Sequence, residues 1–208
     1  MRGRADPLTG ASLSFAGGEG PAFQDLGFPC PYRCRARRWT GAPGPATLRI
    51  ALGPPRRTVD PGPGDGLEVS VEPAGAAPWT AIFEGFSAVA AFPEGAFGTP
   101  SPDRLLVVTG GTAFLVPCAA PTERETVCQY TCGLAAVPSL GVLAVAGHDT
   151  LVGIGPGGGM WETARLSLCC LRLDSIEGPL LRGVACGTDD GDRPFEVDLR
   201  DGSHRGGW

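Results

Sequence analysis

Glycine and proline interrupt this sequence so often that a long helix has no room to form. The 208 residues include 33 Gly and 21 Pro, and both residue types disfavour helix interiors and favour turns. Between the interruptions lie runs of four to eight residues rich in Val, Leu, Ile and Phe, which is typical of β-strands. The sequence therefore predicts an all-β protein. The predicted strands are ATLRIAL, LEVSVE, WTAIFE, RLLVVT, TAFLVP, GVLAVA, DTLVGI, LCCLRL, LLRGVA and PFEVDL.

A weak repeat appears when these runs are aligned. Apolar runs end at Gly75, Gly110, Gly147 and Gly187, at intervals of 35, 37 and 40 residues. A period near forty with four short strands in each unit is typical of a β-propeller blade. We expect a small or incomplete β-propeller-like domain of antiparallel units over residues 46–208, with a β-sandwich as the alternative. Residues 1–45, rich in Arg, Pro and Gly, are expected to be irregular.

The glycine run GPGGG at residues 155–159 resembles a phosphate-binding loop. Such a loop follows a strand and opens a helix, whose first amides bind the anion. The residues that follow, MWETARLSLCCLRL, show no helical period, and no Gly-Lys-Ser/Thr is present. We therefore predict a hairpin turn in which Gly157, Gly158 and Gly159 supply positive φ angles.

Charge is unevenly distributed along the chain. All 17 basic residues are Arg. Because the chain contains no lysine, it has no lysine nucleophile for a Schiff base and no P-loop lysine. Residues 1–57 carry a net +6 and residues 58–208 a net −11. One hypothesis is nucleic-acid binding by an arginine cluster, with Tyr32 and Trp39 available to stack on bases. The cluster consists of Arg33, Arg35, Arg37 and Arg38.

Eight cysteines are present in a chain whose first residues show no export signal, which favours reduced thiols in the cytosol. Two pairs, Cys30 with Cys34 and Cys128 with Cys132, have a C-x₃-C spacing that zinc sites also use. On strands, the same spacing places both thiols on one face as apolar filling. We expect no metal and no organic cofactor; if a metal binds, these four cysteines are its predicted ligands. The adjacent Cys169 and Cys170 are expected on opposite faces of a strand.

The carboxy-terminal residues resemble a known pattern. GPGGGMWETARLS, followed by PFEVDLRDGSHRGG, is similar to the carboxy-terminal half of an uncharacterised family of small bacterial proteins, over roughly residues 140–208. In place of the aromatic or acidic residue and Gly that follow Leu-Ser in that family, this chain has Leu168, Cys169 and Cys170. The resemblance implies a β-rich, propeller-like fold and no known activity. The matching residues are Trp161, Arg165, Leu166, Ser167, Phe195, Val197, Asp198, Leu199, Gly202, Gly206 and Gly207.

Catalytic signatures are scarce. The two histidines are His148, at a predicted strand tip, and His204, and no G-x-S-x-G elbow occurs. The acids of GTDDGDRPFE are read as a solvated hairpin tip or as ligands of a hard cation. No run of eighteen apolar residues predicts a membrane span.

We expect a non-enzymatic binding or scaffold module that holds another protein through loops at one rim of the β array. Its predicted binding residues are Trp161, Arg165, Asp189, Asp190 and Asp192. The alternative is a hydrolase or lyase whose acidic and Arg side chains, distant in the sequence, meet in one pocket of the folded protein. Nucleic-acid binding by the arginine cluster is the third possibility.

Overall fold

The computed structural model describes residues 12–15, 22–39, 41, 47–51, 66–84, 93–187 and 191–208. These residues form eighteen strands and two short 3₁₀ turns. No α-helix occurs among the described residues. The predicted all-β class is confirmed. Within the described part of the chain, no helix has the length and apolarity needed to cross a bilayer.

The strands form four hydrogen-bonded sheets. Sheet 1 has the order β3 (Tyr32–Arg38), β5 (Gly66–Pro73), β6 (Trp79–Glu84) and β4 (Thr47–Ala51). Sheet 2 has the order β10 (Glu125–Gln129), β9 (Thr112–Pro117), β8 (Arg104–Thr109), β7 (Gly95–Gly98) and β2 (Ala22–Gln24).

Sheet 3 has the order β1 (Ser12–Phe15), β11 (Gly133–Val137), β12 (Val142–Ala146), β13 (Leu151–Ile154) and β14 (Met160–Glu162). Sheet 4 has the order β15 (Leu171–Glu177), β16 (Leu180–Ala185), β17 (Arg193–Asp198) and β18 (His204–Gly206). Neighbouring strands are antiparallel except for two parallel pairs, β2 with β7 and β4 with β6. The predicted strands GVLAVA and DTLVGI correspond to β12 and β13.

Three hydrophobic clusters join the sheets in the order 1, 2, 3, 4. Side chains such as Val69 and Leu105 join sheets 1 and 2. Leu106 and Leu143 belong to the cluster between sheets 2 and 3. Val142 and Phe195 belong to the cluster between sheets 3 and 4. Sheets 2 and 3, which we call the inner sheets, are therefore covered on both faces, whereas sheets 1 and 4, the outer sheets, contribute one face to a cluster.

The hydrophobic pattern explains which sheets are inner. A strand covered on both faces is apolar at every position, and a strand covered on one face alternates. Every residue of β11, β12 and β13 is buried. By contrast, β15 alternates between buried Leu171 and Leu173 and exposed Arg172 and Asp174.

The glycine run 155–159 connects β13 and β14 as a hairpin, as predicted. Gly157 and Gly158 have φ of 76° and 78°, in the region that glycine adopts readily. Gly159 has φ of −63°, so the predicted positive φ at this position is wrong. Two residues with positive φ are enough to reverse the chain here.

Strands extend into the segment that was predicted to be irregular, since β2 and β3 lie within residues 1–45. In β3, Tyr32, Cys34 and Ala36 pack against the cluster between sheets 1 and 2. Arg33 and Arg35 between them are exposed. The alternation of inward and outward residues in β3 is hard to recognise in the sequence, because the inward Cys34 and Ala36 are small rather than large and apolar.

Candidate binding surface at one rim

Four loops meet at one end of the inner sheets and sheet 4. They are 130–132, 147–150, 163–170 and the described part of 186–192, and we call this end the rim. Alternate connections of an antiparallel meander lie at the same end of a sheet. Backbone hydrogen bonds tie the loops together, from Leu166 N to Asp149 O at 2.7 Å and from Cys186 N to Cys170 O at 3.0 Å.

Tyr130 stands out because a bulky side chain is combined with left-handed backbone. Its φ is 55° and its relative exposure is 57%. The backbone is held on the following residues: Thr131 N donates to Gly111 O at 2.8 Å, and Cys132 N donates to Ala146 O at 2.7 Å. Left-handed backbone costs roughly 1–2 kcal/mol in a non-glycine residue.

Leu26 is the other described non-glycine residue with positive φ, at 56°. Its side chain packs against the cluster between sheets 2 and 3, so burial offsets the strain. The Tyr130 ring belongs to none of the three clusters; it is largely exposed and lies beside the His148 ring at a centroid distance of 5.6 Å. Backbone strain that presents an exposed aromatic ring is a reason to infer function at that position.

The loop 147–150 places His148 and Asp149 at the tip predicted from the sequence. Gly147 N donates to Thr150 O at 2.9 Å, and the Thr150 hydroxyl donates to Glu162 Oε1 at 2.8 Å. These bonds close the loop whose tip places His148 beside the Tyr130 ring.

Arg165 joins this surface. Its Nε donates to Ser167 O at 3.0 Å and lies 3.7 Å from Asp149 Oδ2, while 58% of the side chain is exposed. We define the rim surface as Tyr130, His148, Asp149 and Arg165. Of the binding residues predicted from the sequence, Arg165 lies in it. Tyr130 was missed, because nothing in the motif CQYTC indicates a positive φ.

Trp161 lies elsewhere, between two glycines. It pairs with Gly153 across β13 and β14, and a Cβ atom added to Gly153 would lie 2.0 Å from the indole ring. A Cβ on Gly202, which belongs to the turn between β17 and β18, would lie 2.6 Å from the same ring. The indole thus fills the space between sheets 3 and 4 and packs against their shared cluster.

The predicted acids of residues 189–192 fall largely outside the described residues, since Asp189 and Asp190 are not among them. Asp192 is about half exposed, and its Oδ2 lies 4.0 Å from Arg172 Nη1. Arg172 also donates to Asp174 at 2.9 Å. The described part of this tip is a solvated ion pair on the rim, apart from the rim surface.

The cysteines fall into two groups at different ends of the sheets. One group, at the cluster between sheets 1 and 2, contains Cys30, Cys34 and Cys118. Burial, followed by the neighbouring thiols, raises the pKa of Cys34 to about 12. Burial, followed by the Asp103 carboxylate, raises the pKa of Cys118 to about 12.

The second group lies at the rim and contains Cys128, Cys132, Cys169, Cys170 and Cys186. Burial raises the pKa of Cys128 to about 11, and its Sγ lies 3.4 Å from the Thr131 hydroxyl. The pairs Cys30–Cys34 and Cys128–Cys132 therefore lie in separate groups, and the four predicted ligands do not meet. Among the described residues, no three or more His, Cys, Asp or Glu side chains have the arrangement of a metal site.

Ser167 organises the turn before β15, where a strand had been predicted for LCCLRL. Its buried hydroxyl accepts bonds from Cys169 N and Cys170 N, each at 3.2 Å, and lies 2.6 Å from Cys170 O and 3.0 Å from Cys186 O. β15 begins only at Leu171. Cys169 and Cys170 thus belong to a turn, and their predicted placement on opposite faces of a strand is wrong.

The arginine cluster lies on β3, an edge strand of sheet 1. Arg33 pairs with Glu72 at 3.9 Å, Arg37 with Glu68 at 2.7 Å, and Arg38 with Glu94 at 3.5 Å. Charged side chains on an edge strand discourage pairing with another chain. The predicted stacking role of Tyr32 and Trp39 is wrong, because only 8% and 7% of these residues is exposed.

A cleft of about 230 Å³ lies between sheets 1 and 2, and its walls are mostly proline and alanine with the Asp103 carboxylate. A shallower depression nearby includes Arg33 and Glu72, whose side chains are 89% and 65% exposed. Such an ion pair is solvated. Neither cleft combines enclosed acids with Arg, which is the arrangement that the enzyme hypothesis requires.

Comparison with known proteins returned no matching family model, no matching curated protein and no matching solved structure. The resemblance of residues 140–208 to a family of small bacterial proteins stays a prediction.

Proposed function

We propose that this chain is a non-enzymatic binding module that holds a protein partner at the rim surface. The observation that carries the proposal is Tyr130, an exposed ring on a left-handed backbone that lies outside the three hydrophobic clusters. Tyr and Arg are the residue types enriched at energetic centres of protein interfaces. Tyr130 and Arg165 supply both on neighbouring loops.

The rigidity of these loops supports the proposal. Binding orders side chains at a cost of about 0.5–1.5 kcal/mol for each immobilised flexible side chain. The Tyr130 ring already contacts His148, and Arg165 already donates to Ser167 O. Less freedom is therefore lost when a partner docks. The partner that fits has an apolar recess for the ring and a carboxylate for Arg165.

We infer a propeller-like architecture as the scaffold. Three consecutive four-strand meanders begin at Gly95, Gly133 and Leu171, 38 residues apart each time, and adjacent sheets share clusters as blades do. Among the described residues, no cluster joins sheet 4 to sheet 1. This favours an open array of four blades over a closed ring. A cytosolic location is supported by eight cysteines that are all free thiols.

The test uses the whole chain as bait in an extract of the cells that produce it, followed by affinity measurement with each purified captured protein. We expect Tyr130→Gly and Arg165→Ala each to weaken the specific complex at least tenfold. Arg200→Ala is the matched control, since Arg200 is exposed in the turn at the opposite end of sheet 4. Equal affinity for all three variants would refute the rim as the binding surface.

The same preparations separate the other two hypotheses. Hydrolase or lyase turnover that survives Tyr130→Gly would favour an enzyme. Affinity for single-stranded DNA that falls steeply with salt would favour nucleic-acid binding by the arginine cluster. We expect little such affinity, because three of the four arginines are paired with glutamates.

A further inference from the structure

Two cysteines of the rim group lie opposite each other at the end of sheet 4. Leu171 of β15 pairs with Ala185 of β16. One position further, Cys186 N donates to Cys170 O at 3.0 Å. Cys170 and Cys186 therefore continue the register of the two strands by one pair.

This placement puts the two Cα atoms within the range that a disulfide spans. Residues directly opposite in an antiparallel pair have Cα atoms about 4.5–5.5 Å apart, and disulfides span about 4.4–6.8 Å. Burial, followed by the neighbouring Cys186 and Cys169 thiols, raises the pKa of Cys170, in keeping with a thiol that faces other thiols rather than a cation.

Cys169 is the nearest competitor, and geometry disfavours it. Its Cα is about 3.8 Å from that of Cys170, as for any consecutive pair, which is below the disulfide range. Its thiol lies against Cys186 O at 3.4 Å rather than against the Cys186 sulfur. Cys170 remains the thiol best placed to join Cys186.

Ser167 replaces one of the two ladder hydrogen bonds at this end of the strands. In a complete pair, Cys170 N would donate to Cys186 O. Instead, Cys170 N donates to the Ser167 hydroxyl, which lies between that amide and Cys186 O. Opposite Cβ atoms are about 4.5–5.5 Å apart, so a disulfide needs an approach of about 1 Å. The open end of a ladder permits such a shift more readily than its middle.

We propose that Cys170 and Cys186 form a thiol-modification site that closes to a disulfide on reaction with a low-molecular-weight disulfide. One thiolate attacks a sulfur of the small disulfide and releases one small thiol. The second thiolate then attacks the protein sulfur of the mixed disulfide and releases the other small thiol. Two protein thiols are oxidised, the small disulfide is reduced to two thiols, and both protons end on the released thiols.

The first experiment needs no substitution. The whole reduced chain is incubated with excess oxidised glutathione, alkylated and mapped by non-reducing peptide mass spectrometry. We expect a peptide pair joined through Cys170 and Cys186, and a thermal unfolding midpoint raised by roughly 5 °C or more, because the bond closes a loop of about 15 residues. Thiols that stay reduced, a glutathione adduct that persists, or a bond between other cysteines would each overturn the proposal.

Matched serine substitutions sharpen the assignment. Cys186→Ser should leave a persistent glutathione adduct or a free thiol at Cys170, with no internal bond there. Cys169→Ser should close as the wild-type chain does, although it removes a thiol from the same turn. Loss of closure in Cys169→Ser with retention in Cys186→Ser would contradict the assignment. If a variant does not fold, the wild-type peptide map still decides.

Discussion

The inner and outer sheets are built from meanders of similar size, yet they use their side chains differently. In β8, the consecutive Leu105 and Leu106 are both fully buried, one in the cluster with sheet 1 and the other in the cluster with sheet 3. In β15, buried Leu173 follows exposed Arg172. A strand's neighbours on its two faces, rather than its length or pairing, decide whether each position tolerates a charge.

The outer sheets carry ion pairs on the face that is not covered by a cluster. Arg182 of sheet 4 contacts Glu177 at 2.5 Å and Glu196 at 2.8 Å, and sheet 1 carries the Arg37–Glu68 pair at 2.7 Å. Exposed pairs of this kind contribute little to stability, because solvent screens the two charges. Most of the folding free energy must therefore come from the three clusters. Each inner sheet contributes side chains to two of them, and each outer sheet to one.

Consecutive substitutions provide the strongest test of this difference. Leu105→Ala and Leu106→Ala should each lower the free energy of unfolding by about 3 kcal/mol, because each leaves a cavity in a different cluster. In sheet 4, Leu173→Ala should cost a similar amount, while Arg172→Ala should leave stability nearly unchanged. Urea denaturation measures all four. Similar losses at Arg172 and Leu173 would show that sheet 4 is covered on both faces.

The position of the Trp161 ring, at the junction of sheets 3 and 4, is tested at Gly153. An alanine there would place a methyl group inside the Trp161 ring, so we expect a loss of about 1–3 kcal/mol from overpacking. Gly159→Ala is the control in the same hairpin, since its φ is ordinary and nothing lies within 4 Å of an added Cβ. If Gly153→Ala proved as stable as Gly159→Ala, the indole would not be wedged between sheets 3 and 4.

At the connection between the inner sheets, relief of strain should stabilise the chain. Tyr130→Gly removes a left-handed cost of about 1–2 kcal/mol and adds about 0.4–1 kcal/mol of chain entropy to the unfolded state. We expect a net gain of about 0.5 kcal/mol in the free energy of unfolding. Leu26→Gly, at a similar φ, should instead destabilise, because its side chain packs in a cluster. A destabilised Tyr130→Gly would mean that the ring has a structural role.

The smallest effect concerns pH in an outer sheet. At the end of β17, Asp198 accepts bonds from the Arg200 side chain and backbone, which lower its pKa to about 2. Because the folded-state pKa is lowered, the stabilisation is complete above the ordinary value near 3.8 and is lost as pH falls through about 2. Carboxyl NMR shifts should titrate with a midpoint near 2, and in Arg200→Ala that midpoint should rise. An unchanged midpoint in the variant would exclude Arg200 as the cause.

Sequence patterns predicted the strands whose core residues are aliphatic, because RLLVVT and GVLAVA each contain a run of four or five apolar residues that are buried. The same reasoning missed β3, where Cys34 and Ala36 are the inward residues between arginines. Of the surface that we propose for binding, Arg165 and the tip at His148 were predicted. Tyr130 was not, since its φ depends on hydrogen bonds to Gly111 and Ala146, which are distant in the chain.

Pairing between remote strands was also beyond local patterns. β2 joins β7 in parallel and β4 joins β6 in parallel, and neither contact follows from hydrophobic period or turn chemistry. The distribution of cysteines into two groups likewise depends on which loops share an end. Spacing alone suggested the pairs Cys30–Cys34 and Cys128–Cys132, whereas the rim brings Cys132 near Cys169 and Cys186.

The early strands β1 and β2 have a consequence for how the chain is made. They pair with β11 and β7, the first strands of the two inner meanders, whose residues 133–137 and 95–98 are entirely buried. Left bare, such apolar edges are templates for aggregation. Ribosomal synthesis proceeds from the amino terminus, so both covering strands have left the exit tunnel before either edge emerges. During synthesis, the strands that cover the edges of β11 and β7 are therefore available before those edges are exposed to solvent.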